Sequence, residues 1–132
     1  MLNKYPVLRV ISTFILPYIA FFALYIQING EVSPGGGFQA GTIFASCVIL
    51  RSFFKPDTHL TQYYVMAVLG VIIYAGIGFI TMFGGSTYLD YFALHADPYT
   101  AQKIGIIVIE LGVGMTVFSS MSLIYFLFTE ER

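Results

Sequence analysis

Glu110 is the one acidic residue set well inside an apolar stretch, Gly105-Ile106-Ile107-Val108-Ile109-Glu110-Leu111-Gly112. A carboxylate in such surroundings is costly to ionise and must be paired, hydrated or protonated. Burial without a counter-charge raises its pKa and brings proton exchange towards physiological pH, which is what a proton or sodium pathway needs. A carboxylate hydrogen-bonded to a neighbouring helix or subunit purely for assembly would use the same residue, and both readings stand. Lys103, seven residues earlier, shares a helical face with Glu110 but lies about 10 Å away along the axis and is not its direct partner.

The second unusual feature is the segment Gly30-Glu31-Val32-Ser33-Pro34-Gly35-Gly36-Gly37-Phe38-Gln39-Ala40-Gly41. Three glycines in a row after a proline give up side-chain packing for backbone freedom. A phosphate-cradling loop would need Lys and Ser/Thr at Walker spacing, or a strand leading into G-x-G-x-x-G, and neither is present. Two readings remain. In one, the segment is a turn between helices, with Gly37, Gly41 and Ala45 at four-residue spacing allowing close helix contact. In the other, it is irregular backbone at membrane depth, facing a partner or a water-filled cavity that satisfies its freed polar groups. Along the last apolar stretch Gly112, Thr116 and Ser120 form a similar small-residue stripe suited to helix packing.

Glu31 is a second relay candidate, beside Glu110. With Asp90 and Asp97 it would line an approach for cations, although ordinary loop solvation accounts for all three. His59 and His95 lie in loops without metal-ligand spacing, so no metal site is expected. No nucleophilic triad can be assembled from them. Cys47, the single cysteine, reads as a small apolar packing residue within a span.

These groups must be held by membrane helices. The 132 residues include 6 Lys/Arg and 7 Asp/Glu, with 58% hydrophobic residues and a mean hydropathy of +0.82. A soluble domain carries roughly a quarter charged residues, so the bilayer is the natural solvent. A net charge of −1 with scattered cations excludes nucleic-acid binding. Four apolar spans follow: Val7 to Ile28, Phe38 to Phe54, Tyr63 to Phe83 and Pro98 to Phe128. A span needs about 20 residues, which makes the second one short. The first is read as retained rather than as a secretory signal, because no A-x-A site closes it. Pro17 should kink it, since the carbonyl of Thr13 loses its i+4 donor. Asp97-Pro98 reads as the N-cap and first residue of the last helix. The aromatic segment Tyr88 to Leu94 is compatible with an interfacial helix between the third and fourth spans. The expected fold is therefore an all-α integral membrane protein: one domain over residues 1–132, with four transmembrane helices and a Gly-rich loop between the first two. Placing Lys4, Arg9, Arg51, Lys55 and Arg132 on the cytoplasmic side leaves only Lys103 outside and puts both termini in the cytoplasm.

Gly30-x-x-x-Pro34-Gly35-Gly36-Gly37-Phe38-x-x-Gly41 and Glu110-Leu111-Gly112-Val113, with their separation and the four spans, resemble the B subunit of the multisubunit Mrp/Mnh-type sodium/proton antiporters. The resemblance runs from about Leu8 to Glu131. It departs at Glu31, where family members often have His, and at Glu110, where they often have Asp. The resemblance implies a small, non-enzymatic subunit, without its own cofactor, of a hetero-oligomeric cation/proton antiporter in a bacterial or archaeal inner membrane. Its partners would be other membrane subunits and lipid, with sodium ions and protons as the transported species. Similar domains occur in membrane-bound hydrogenases and related respiratory complexes, and a purely structural packing subunit is the third reading.

Overall fold

A computed structural model describes residues 6–30, 34–55 and 59–130. Four helices carry the fold: α1 (Pro6–Asn29), α2 (Gly37–Ser52), α3 (Leu60–Phe83) and α4 (Pro98–Glu130). The regular structure among the described residues is all helical, because the apolar runs are long and their backbone polar groups are satisfied within the helices themselves. α1, α3 and α4 are long and apolar enough to cross a membrane. The 16 residues of α2 amount to about 24 Å, less than a hydrocarbon core of about 30 Å.

The burial pattern suits a lipid solvent. Large apolar side chains such as Phe14 and Phe21 on α1 and Val68, Ile72 and Phe79 on α3 face outward, whereas the fully buried positions include Ala23, Ala40, Ala101, Thr81, Ser119 and Ser122. Small residues inside let helices approach closely where no hydrophobic effect drives them together. The hydroxyls of Ser119 and Ser122 donate to the carbonyls of Met115 and Phe118 one turn earlier, so neither is left unsatisfied.

α4 is the central helix. It runs parallel to α2 and antiparallel to α3, as their contacts show. Gly37 of α2 lies against Glu110, and Phe53 beyond the end of α2 lies against Tyr125. On α3, Tyr63 meets Phe126 and Gly70 meets Gly112 and Thr116. α1 packs mainly on α2, with a smaller approach to α4, and among the described residues the backbone of α3 approaches neither α1 nor α2. At the end of the bundle that holds the C-terminus of α4, Tyr63, Leu123 and Phe126 form the core, flanked by Val48, Leu60, Phe118 and Tyr125.

Pro17 lies inside α1, which stays a single element from Pro6 to Asn29. At the start of α4, Asp97 caps as its sequence context predicts. The Thr100 amide and hydroxyl both donate to Asp97 Oδ2, at 3.0 and 2.6 Å. These bonds favour the charged form and hold the Asp97 carboxyl below its usual range, the hydroxyl contributing most.

The α3–α4 connection contains one 3-10 turn, Tyr91–Leu94. Two aromatic rings of the connection turn towards the bundle: Tyr88 covers Gly78 of α3, and Tyr91 covers Gly105 of α4. Buried Thr81 fastens the same connection, donating to the Gly78 carbonyl at 2.8 Å and accepting from the Leu89 amide at 3.1 Å.

Candidate functional site

The two sequence features that stood out meet each other in space. α1 ends in a turn at Gly30, α2 begins at Gly37, and both ends converge on Glu110 of α4. A Cβ built on Gly30 would fall within 3.0 Å of both carboxylate oxygens of Glu110 and lie 2.8 Å from Gly36 Cα. One built on Gly36 would stand 2.9 Å from Oε1. One built on Gly37 would run into the backbone carbonyl of Glu110 and lie 2.9 Å from the Gly114 amide nitrogen. The carboxylate thus lies in a cradle of backbone that only hydrogen side chains leave open, and its Oε2 is fully buried. Gly36, the N-cap of α2, has φ 131° and ψ −168°, a region closed to side-chain-bearing residues.

The carboxylate also sits at the N-terminal end of α2. The first amides of a helix have no carbonyl partner within it, and the aligned peptide dipoles give that end a partial positive charge. Only from the Ala40 amide, which donates to the Gly36 carbonyl at 3.0 Å, does the α2 ladder begin. A negative group is electrostatically favoured at this place, so the site can hold a carboxylate that lipid would reject.

The remaining candidates fall into place around the cradle. Gly41 lies against Gly114 and Phe118, its built Cβ 2.5 Å from the Gly114 carbonyl, and Ala45 is buried one turn on. Gly112 and Thr116 pack on Gly70 of α3, and the Thr116 hydroxyl donates to the Gly112 carbonyl at 2.9 Å. Ser120, the third member of that stripe, is half-buried. Gly35, at φ 153°, covers Ile26, while Pro34 and Phe38 are exposed. Glu31 lies outside the described residues. Asp90 is engaged locally, accepting from the Phe92 amide at 3.3 Å. His95 Nδ1 accepts from the Asp97 amide at 3.1 Å, and His59 precedes α3 at its other end. No cluster of His, Cys, Asp or Glu suited to a metal occurs among the described residues.

Two residues at the junction escape sequence reasoning. Gln27 on α1 places its Oε1 over Gly114, one turn beyond Glu110. Its signal is a side-chain amide in a largely apolar run, shared with Asn29 two residues on. Gly70 admits Gly112 and Thr116 of α4 to the backbone of α3, and nothing in its apolar context distinguishes it from Gly76, which faces open space.

Comparison with known proteins matches this chain to a family. A family model described as a domain related to the MnhB subunit of the Na+/H+ antiporter matches residues 7–123. Proteins of Staphylococcus aureus strains Newman, JH1 and COL, each described as a candidate antiporter subunit mnhB2, are 27% identical over 131 residues, covering 88% of this chain and 93% of theirs. The two segments that converge at the cradle both lie within the matched region, and the chain belongs to the family of domains related to the MnhB subunit of the Na+/H+ antiporter.

Proposed function

We propose that this chain is a small integral subunit of a multisubunit Na+/H+ antiporter, and that Glu110 in its glycine cradle takes part in the ion or proton route or in its coupling. Family membership supports the subunit role. The observation that carries the site is the convergence of Gly30, Gly36 and Gly37 on the Glu110 carboxylate.

Depth supports the same reading. Glu110 stands twelve residues after Pro98, about 18 Å along α4, and six residues, about 9 Å, beyond Ile104, where the apolar run begins. On either measure Gly30 and Gly36, which flank Glu110, lie below the end of the α3–α4 hairpin, inside the hydrocarbon. Irregular backbone at that depth is tolerated where protein or water lines it, and broken helices with their ends aimed at a charged group are how transporters build sites. All four helices then cross the bilayer, α2 being short because it starts inside it. The cation distribution puts both termini in the cytoplasm, in a bacterial membrane. One buried carboxylate cannot form a continuous path, so neighbouring subunits supply the remaining groups.

The test is Glu110→Gln in the assembled complex reconstituted in vesicles. Full assembly with strongly reduced sodium/proton exchange is expected. Unchanged exchange would refute a relay role, and loss of assembly would assign Glu110 to packing.

A further inference from the structure

The last turn of α1 carries a polar side chain that the glycine cradle does not account for. Gln27 is half-buried and lies across buried Gly114 of α4. A Cβ built on Gly114 would run into Gln27 Oε1 and stand 3.4 Å from Gln27 Cδ and 3.1 Å from the Gly37 carbonyl. α1, α2 and α4 therefore meet at one glycine, and the end of the Gln27 side chain fills the space beside it. Gly114 stands sixteen residues from each end of α4, Pro98 and Glu130, about 24 Å either way. A polar side chain midway along a membrane helix is costly, which makes its placement there informative.

The contacts between α1 and α4 form two antiparallel rungs: Gly30 against the Glu110 carboxylate, and Gln27 against Gly114. The rungs are three residues apart on the first strand of the contact and four on the second, about 4.5 and 6 Å. α1 packs mainly on α2 and approaches α4 only over a short stretch, so the spacing at one rung governs the spacing at the other. At the upper rung α1 offers no side chain, because Gly30 presents bare backbone to the carboxylate. At the lower rung the spacing is set by how far Gln27 reaches. We infer that Gln27 is a positioning residue for Glu110: its side chain, seated on Gly114, fixes the distance between the end of α1 and α4 and so holds Gly30 against the carboxylate. An unbranched chain suits this task, since only its end has to pass between the helices. The inference rests on the reading of Glu110 as the functional carboxylate and adds the residue that keeps its enclosure shut.

The test uses the intact complex in native membranes, with dicyclohexylcarbodiimide as a lipid-soluble probe of enclosed carboxyl groups. Mass spectrometry reads the fraction of Glu110 modified against time at one mildly acidic pH. Gln27→Ala should speed the modification several-fold and lower the maximal rate of sodium/proton exchange, because the end of α1 is no longer held. Gln27→Met keeps the reach without the amide and should return both quantities to the parent values. Gln27→Asn, one methylene shorter, should fall between alanine and parent, and it carries the test if the alanine variant does not assemble. Unchanged modification in the assembled alanine or asparagine variant, or a methionine variant as reactive as the alanine one, overturns the positioning role. The two levels separate cleanly. Faster modification with unchanged exchange keeps Gln27 in its role and removes Glu110 from the ion or proton route, whereas unchanged modification beside an inactive Glu110→Gln complex sinks the positioning role alone.

Discussion

Gly37 and Glu110 touch through their backbones. The start of α2 lies so close to α4 that a methyl group on Gly37 would collide with the Glu110 carbonyl. Backbone cannot swing aside as a flexible side chain can, so the contact fixes both the separation of the two helices and the position of the carboxylate one residue-length away.

Gly37→Ala should therefore destabilise the protein by about 1–3 kcal/mol or more, the usual range for overpacking. Gly76→Ala is the matched control, because nothing stands within 4 Å of a Cβ there and the exchange favours a helix by about 0.5–1 kcal/mol. Thermal unfolding of the detergent-solubilised chain, followed by helical circular dichroism, should lower the Tm for the first variant and leave it equal or higher for the second.

Glu110→Asp keeps the charge but withdraws the carboxyl by one methylene from Gly30 and Gly36. Gly30→Ala instead pushes a methyl group into both carboxylate oxygens. If the fit of the carboxylate in the cradle sets its function, Gly30→Ala should reduce exchange in vesicles more than Glu110→Asp does. The opposite order would show that reach along α4 matters more than enclosure by the loop.

The pairing of Tyr88 with Gly78 predicts a rescue. Gly78→Ala alone places a methyl group inside the Tyr88 ring position and should loosen the α3–α4 connection. Combined with Tyr88→Ala, the clash disappears, and the double variant should be more stable than the sum of the single effects implies. Protease accessibility of residues 84–97 reports on this directly, and simple additivity would show that the ring moves away without cost.

Asp97 supplies a pH test outside the membrane. Its pKa is lowered in the folded chain by the Thr100 bonds, so its contribution to stability is present above the ordinary carboxylate value of 3.8. That contribution fades as pH falls below 3.8 through the depressed folded value. Asp97→Ala should remove this part of the acid sensitivity, giving a shallower loss of Tm at low pH than the parent chain. The effect is small because the group is fully exposed.

Element positions were largely legible in the sequence, since apolar runs and their punctuation are local signals. Asp97-Pro98 marks the start of α4 to the residue, and Gly84-Gly85 marks the end of α3. The first span, expected from Val7 to Ile28, extends one residue at each end. The third begins at Leu60 rather than Tyr63 because apolar composition says little about where a helix enters the interface. The site was legible only as separate parts. Glu110 and the three glycines each stood out by type, but 73 residues separate Gly37 from Glu110, and no local pattern states which helices will touch. For the same reason Gly70 and Gln27 carried no sign of their neighbours.

The central place of α4 has a mechanical consequence. Among the described residues the α1–α2 pair and α3 share no backbone approach, so a displacement at Gly30 or Gly36 can reach α3 chiefly by bending, rotating or sliding this one helix. α4 is a shaft with Glu110 near one bearing and the Tyr63–Leu123–Phe126 core at the other. A torque applied at the carboxylate would be read out some 20 Å away, where aromatic rings rather than glycines grip the helix.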